Sequence, residues 1–181
     1  KPIGKIMSHF DEAIKKVLKH EGGYIDHKND PGGATKYGIS LRFIKNSGFE
    51  LDIDGDGDID AEDIKLLTPE KAKEIYKEKF WNPYGYDQIM TAEVAAKVFD
   101  MCVNMGPKQA HKLTQRACNA KHKSLTEDGM LGVKSYTAIN QSGQPLLDEL
   151  RTAQADFYKL LALQKPALKV FLKGWLRRAS S

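Results

Sequence analysis

Apolar residues recur at helical spacing over most of the 181-residue chain. Phe10, Ile14, Val17 and Leu18 mark an amphipathic helix over about residues 9–21, with Ser8 as N-cap and Asp11 and Glu12 in its first turn. Gly22 and Gly23 end it. Between Tyr24 and Ser40 the periodicity disappears, and Asn29-Asp30-Pro31-Gly32-Gly33 marks turns, with room for a short irregular hairpin. Helical spacing returns over residues 41–46 and, behind Thr68 as N-cap, over 69–80. From Glu93 onward the pattern is almost wholly helical. Val94, Val98, Met101, Cys102 and Met105 form a stripe that stops at Gly106-Pro107, and Ala110, Leu113 and Ala117 form the next. Leu146, Leu150, Phe157 and Leu161 mark a long helix, and Leu168, Phe171, Leu172 and Trp175 a final one after Pro166. These stripes read as core. With no repeat and no flexible linker, the expectation is a mainly α, two-lobed chain, its lobes spanning residues 1–92 and 93–181 and packed as one compact unit.

An apolar fraction of 41% and a charged fraction of 29% fit a globular chain rather than a disordered one. No stretch approaches the roughly 18 apolar residues of a membrane span, and residues 1–10 lack the apolar centre of a signal peptide. Cys102 and Cys118 lie in helical stripes and read as buried free thiols. His20, His27, His111 and His122 fit no zinc spacing, and no serine or cysteine nucleophile has a recognisable base beside it.

The net charge of +4 is unevenly spread. Seven acids fall within residues 52–63 without a single Lys or Arg; the other 17 acids face all 28 basic residues, so the body carries +11. A basic body suits an anionic polymer, which could be nucleic acid, a membrane or the bacterial cell wall, and charge alone does not choose among these, although no nucleic-acid recognition module is present. The acidic run Asp52-Ile53-Asp54-Gly55-Asp56-Gly57-Asp58-Ile59-Asp60-Ala61-Glu62-Asp63 fits the twelve-residue calcium loop, with oxygen ligands at positions 1, 3, 5, 7, 9 and 12 and Gly at 6. Asp52, Asp54 and Asp56 would ligate by side chain, Asp58 by its carbonyl, Asp60 through water and Asp63 at the twelfth position, with Ile59 turned to the core. One structural Ca2+ is therefore expected. Asp63 stands where EF-hands usually have Glu, a shorter arm that resembles the dockerin loop, with residues 63–67 as the exiting helix.

Glu21 continues the apolar series of the first helix by one helical step. A partly desolvated carboxyl at a helix C-terminus holds its proton to higher pH, and a protonated acid beside a cleft is what glycosidic cleavage requires. Periodicity alone favours a helix-end Glu that faces solvent or pairs with lysine.

The surroundings favour the acid. Glu21-Gly22-Gly23-Tyr24, followed by residues 29–40 (Asn29-Asp30-Pro31-Gly32-Gly33-Ala34-Thr35-Lys36-Tyr37-Gly38-Ile39-Ser40), resembles the signature of the glycoside hydrolase family 108 N-acetylmuramidases of phage endolysins and their bacterial relatives. The similarity continues through Phe80-Trp81-Asn82-Pro83, residues 99–107, Asp128-Gly129-Met130-Leu131-Gly132 and Gly174-Trp175-Leu176-Arg177-Arg178; the later segments resemble the peptidoglycan-binding region that accompanies the family's catalytic segment. It covers about residues 8–178, and the acidic loop interrupts it.

The resemblance implies a lysozyme-like fold that hydrolyses the β-1,4 bond between N-acetylmuramic acid and N-acetylglucosamine, with Glu21 as general acid. By analogy with phage-type lysozymes, Asp30 would orient water or stabilise positive charge on the sugar and Thr35 would hold the attacking water; Tyr24 and Tyr37 would stack on sugar rings or pack against the glycine turns. It further implies a monomeric endolysin that acts on peptidoglycan glycan strands, made in a host cytoplasm without a signal peptide and released to the wall by a holin. Two other readings stay open: a lytic transglycosylase cutting the same bond, and a non-catalytic, calcium-stabilised wall-binding module.

Overall fold

Ser8 starts the first helix as its sequence suggests. Its hydroxyl oxygen accepts from the Asp11 amide at 3.2 Å while the Asp11 carboxylate accepts from the Ser8 amide at 3.3 Å, a closed capping box at the head of α1 (His9–His20). The computed structural model describes residues 8–20, 22–26 and 33–181. Contacts divide the chain into two units, Lys1–Gly85 and Tyr86–Ser181.

In the first unit, Phe10, Ala13, Ile14 and Val17 of α1 are buried, and Phe10 meets the fully buried Trp81 edge-on at 5.4 Å. Strands β1 (Thr35–Lys36) and β2 (Ile39–Ser40) pair antiparallel and lead into α2 (Leu41–Ser47), capped by the Ser40 hydroxyl, which accepts from the Phe43 amide at 3.1 Å. The acidic loop runs into α3 (Ala61–Leu66), and Thr68 caps α4 (Pro69–Tyr76), accepting from the Lys71 amide at 3.1 Å. Lys73 of α4 pairs with Asp11 of α1. That ammonium, helped by Ser8, holds the Asp11 carboxyl down at about 2.

The helix expected over 69–80 changes character after Tyr76. Lys77–Trp81 widens into a π-helical turn, followed by a 3-10 turn at Asn82–Tyr84 that Gly85 ends with φ +68°. Pro83 has no N–H to continue an α-helical ladder, and the wider turn directs Trp81 into the core.

The second unit contains α5 (Ala92–Met105), α6 (Pro107–Ala120), α7 (Val133–Ser142), α8 (Leu146–Gln164) and α9 (Leu172–Ser180), with α8 packed on α5, α6 and α9. Gly106, at φ +85°, breaks α5 from α6 just before Pro107. Val94, Val98, Met101, Ala110, Leu113 and Ala117 are buried, as their spacing predicts. Cys102 and Cys118 are buried free thiols, each pushed up to about 11 by burial.

The last stripe behaves differently from its reading. Pro166–Phe171 is a 3-10 turn, and only Leu172–Ser180 is α-helical. Three residues per turn take Phe171 off the helical face, leaving it 53% exposed, while Trp175 stacks on Tyr158 at 5.1 Å. Among the described residues, nine α-helices and one two-stranded sheet make this a mainly helical, lysozyme-like fold, and no helix is long and apolar enough to cross a membrane.

Candidate active site

Of the residues expected to do chemistry, Glu21 and Asp30 lie outside the described residues, as does His27. Thr35, Tyr24 and Tyr37 are described, and all three belong to one small construction behind α1. Thr35 sits at its centre. On one side its peptide exchanges two 2.8 Å hydrogen bonds with Ile25, and on the other it pairs with Ser40 across the hairpin. The two-residue connection, Tyr37 at φ +51° and Gly38 at φ +74°, is left-handed at both positions, as a type I′ turn requires. Tyr37 tolerates that conformation because its backbone is held at both ends. Its N–H donates to the Gly22 carbonyl at 3.2 Å, and its carbonyl accepts from the Tyr76 hydroxyl at 2.8 Å.

The side chains follow from this frame. The half-buried Thr35 hydroxyl donates to the Gly33 carbonyl at 3.3 Å, so its oxygen remains an acceptor. Tyr24 is half-buried and donates to Asp26 at 3.4 Å; desolvation and the Asp26 charge hold its hydroxyl above the ordinary tyrosine range. The Lys36 ammonium lies 5.5 Å from the centre of the Tyr37 ring and donates to the Lys65 carbonyl at 2.5 Å, in the last turn of α3. Lys36 therefore ties the hairpin to the helix that leaves the acidic loop. No periodicity marks Lys36, Ile25 or Tyr76 as parts of this site, because backbone pairing and a single long-range donor leave no pattern in sequence.

The acidic loop is closed by its own carboxylates. Asp52 accepts from the Gly55 amide at 2.7 Å and the Gly57 amide at 3.1 Å, Asp54 from Asp56 at 3.2 Å and Asp56 from Asp58 at 3.0 Å. Gly57, at the sixth position, has φ +96°, a conformation that favours glycine. The exiting helix begins earlier than expected: Asp60 caps it, accepting from the Glu62 amide at 2.7 Å, so Asp63 lies inside its first turn. There Asp63 is 1% exposed and accepts from the Ile53 amide at 2.6 Å and the Asp60 amide at 2.9 Å, clasping the start of the loop to its end. Burial would raise its pKa, but the amides of Asp60, Ile53 and Asp54 outweigh that and hold it below the usual carboxylate range. Asp58 is pushed upward by the Asp56 charge and by burial. Side-chain oxygens of Asp52, Asp54 and Asp63 lie within 4.8 Å of one another, and so do those of Asp58, Asp60 and Asp63. Two oxygens on opposite sides of a calcium ion are about 4.8 Å apart at a ligand distance of roughly 2.4 Å. Either trio is thus spaced closely enough for its oxygens to reach one hard cation, and Asp63 is common to both. Ile59 is half-buried.

In the second unit, three α6 side chains at successive helical turns hold an irregular loop. Asn119 exchanges two hydrogen bonds with Leu125 (2.8 and 2.9 Å), Gln115 receives from the Gly129 amide at 2.9 Å and donates to Asp128 at 2.8 Å, and the His111 Nδ1 donates to the Gly129 carbonyl at 3.2 Å. Gly129 has φ +81°, and a Cβ there would stand 2.7 Å from the Lys108 carbonyl oxygen, so no larger residue fits. This loop and the start of α7 line a pocket of 390 Å³ with Ser124, Thr126, Asp128 and Lys134 at its wall.

A mainly helical chain with a short hairpin behind its first helix, followed by a second helical unit, has a lysozyme-like architecture. Comparison with known proteins gives the family: Glycosyl hydrolase 108 matches residues 14–106, and Predicted Peptidoglycan domain matches residues 109–180. The chain belongs to glycosyl hydrolase family 108, and its function is that of a glycoside hydrolase whose partner is peptidoglycan. It is similar to the solved structure of Brucella abortus SagA, with 31% identity over 94% of this chain and 89% of that one and a TM-score of 0.72. No curated protein matches the chain.

Proposed function

We propose that the protein hydrolyses the β-1,4 bond between N-acetylmuramic acid and N-acetylglucosamine, with Glu21 as the general acid. The observation that carries this reading is the pairing of Thr35 with Ile25 and of Tyr37 with Gly22, which joins the hairpin to the segment directly following Glu21 in sequence. Glu21 protonates the leaving glycosidic oxygen, water attacks the sugar carbon whose charge develops as that bond breaks, and the proton the water sheds passes through solvent to return the Glu21 carboxylate to its acid form. Thr35 positions the water. With its hydroxyl proton directed at Gly33, its oxygen accepts a hydrogen bond from the water and aims the lone pair at carbon. Asp30 balances the positive charge on the sugar ring, and Tyr24 and Tyr37 offer ring faces to neighbouring saccharides.

One Ca2+ in the Asp52–Asp63 loop is part of the same proposal, held by Asp52, Asp54, Asp56, Asp58, Asp63 and, through water, Asp60. When bound it supplies structural cross-linking, supported by the spacing of the carboxylate oxygens and the upward push on Asp58. Lys36 carries that rigidity to the hairpin through the Lys65 carbonyl. The basic body and the family tie support an endolysin role, with a monomer reaching the wall from a host cytoplasm after holin-type release.

Mass spectrometry of muropeptides released from purified peptidoglycan tests the bond and the chemistry together. Reducing N-acetylmuramic acid ends are expected. Anhydro ends would make the protein a lytic transglycosylase, reducing N-acetylglucosamine ends would move the cut to the other glycosidic bond, and no release at all would leave a wall-binding module.

A further inference from the structure

The second unit ends in a helical hairpin made of the last turns of α8, the 3-10 turn Pro166–Phe171 and α9. Between residues 157 and 181 the chain has six Lys or Arg and no Asp or Glu. Arg178 is turned inward onto Asp100 at 2.9 Å, and Lys159 meets Asp156 at 3.7 Å. Lys165, Lys169 and Lys173 are exposed, and among the described residues no carboxylate pairs with them.

Apolar surface lies on the same hairpin, with Lys169 at the wall of its groove. A groove of 360 Å³ is walled by Ala162, Leu163, Pro166 and Leu172. Leu163 is 78% exposed, Val170 76% and Phe171 53% on the same hairpin. A run of exposed large apolar side chains beside unpaired lysines calls for a partner that uses both. Peptidoglycan and nucleic acid would satisfy the lysines and leave the apolar groove idle, and an apolar protein face would satisfy the groove and leave three charges unanswered.

We infer that this hairpin docks on an anionic phospholipid bilayer. Leu163, Val170 and Phe171 enter the boundary between headgroups and acyl chains, while Lys165, Lys169 and Lys173 reach the lipid phosphates on their flexible stems. The inference does not depend on which glycan bond the first unit cuts. Its consequence is a protein concentrated where the membrane faces the wall.

Co-sedimentation of the full chain with vesicles tests it. Binding is expected to vesicles of phosphatidylglycerol and phosphatidylcholine, weakly or not at all to phosphatidylcholine alone, and to fall with salt. The triple change Lys165→Ala, Lys169→Ala and Lys173→Ala should weaken it roughly a hundredfold, and Leu163→Asn about tenfold, both with unchanged thermal melting because all four side chains are exposed. Should one variant fail to fold, the other still decides. Absence of vesicle binding, binding equal on neutral vesicles, or binding indifferent to both variants would overturn the inference. So would vesicle-independent loss of peptidoglycan binding in the triple variant, which would assign the face to the wall, or a dimer in sedimentation velocity that Leu163→Asn dissolves, which would assign it to a second copy.

Discussion

Ile25 and Thr35 exchange both of their backbone hydrogen bonds, each at 2.8 Å, although ten positions separate them and the strand on the Ile25 side is a single residue long. This pairing holds the Thr35 main chain independently of its hydroxyl, whose bond runs to the Gly33 carbonyl, so the hydroxyl can be removed without loosening the strand. Thr35→Val keeps a β-branched side chain suited to a strand. Glycan hydrolysis should fall on the order of a hundredfold, with a melting temperature close to that of wild type. An unchanged rate would remove Thr35 from the mechanism.

Calcium should stabilise the fold. At free calcium about a hundred times its dissociation constant, linkage contributes about 2.7 kcal/mol, read as a rise in melting temperature that EGTA reverses. Asp54→Asn should reduce that rise, and Lys36→Met should leave it intact while lowering hydrolysis, because Lys36 joins the loop's exiting helix to the hairpin without touching the loop carboxylates. A melting temperature indifferent to EGTA would dispose of the calcium site.

His111 should make the second unit acid-sensitive. Its Nδ1 donates to the Gly129 carbonyl and its Nε2 accepts from the Tyr86 hydroxyl at 2.7 Å, an arrangement for the neutral ring, and burial lowers its pKa. The unfolded chain therefore takes up the proton first. The stabilisation is full above the unfolded value of about 6.5 and is lost as pH falls below it. Melting temperatures between pH 7.5 and pH 5 should drop more steeply for wild type than for His111→Gln. Parallel slopes would contradict this.

Arg178 and Asp100 form a two-pronged pair with side chains 12% and 5% exposed. Arg178→Ala strips the guanidinium from a buried carboxylate and should cost about 3 kcal/mol, measured by urea unfolding. Replacing both, with Asp100→Asn and Arg178→Met, should cost less than the single change. If the single variant unfolds like wild type, the pair is dispensable.

The helices were legible because each buries one face, and burial imposes a period. Phe10, Ile14 and Val17 announce α1, and Val94, Val98 and Met101 announce α5, before any coordinate is known. In the acidic loop, the glycine at the sixth position, Gly57, takes the positive φ that a sharp turn there requires, whereas the start of the exiting helix was misplaced because Asp60 caps it. What escaped was set across distance. Lys36 to the Lys65 carbonyl and Asp100 to Arg178 are partners separated by tens of residues, and no local pattern relates them. The final stripe misled because Pro166 opens a 3-10 turn, in which helical spacing no longer means a shared face. Within the site, the turn residues hinted at a hairpin, whereas the left-handed Tyr37 was invisible, since its conformation is imposed by bonds to Gly22 and Tyr76.

The most direct measurement is the rate of reducing-end release from purified peptidoglycan by wild type and by Glu21→Gln. The substitution removes the transferable proton at constant shape, so the rate should fall on the order of a thousandfold, while thermal melting and co-sedimentation with the wall stay as in wild type. A Glu21→Gln protein that keeps a tenth or more of the wild-type rate would contradict the assignment of Glu21 as the acid.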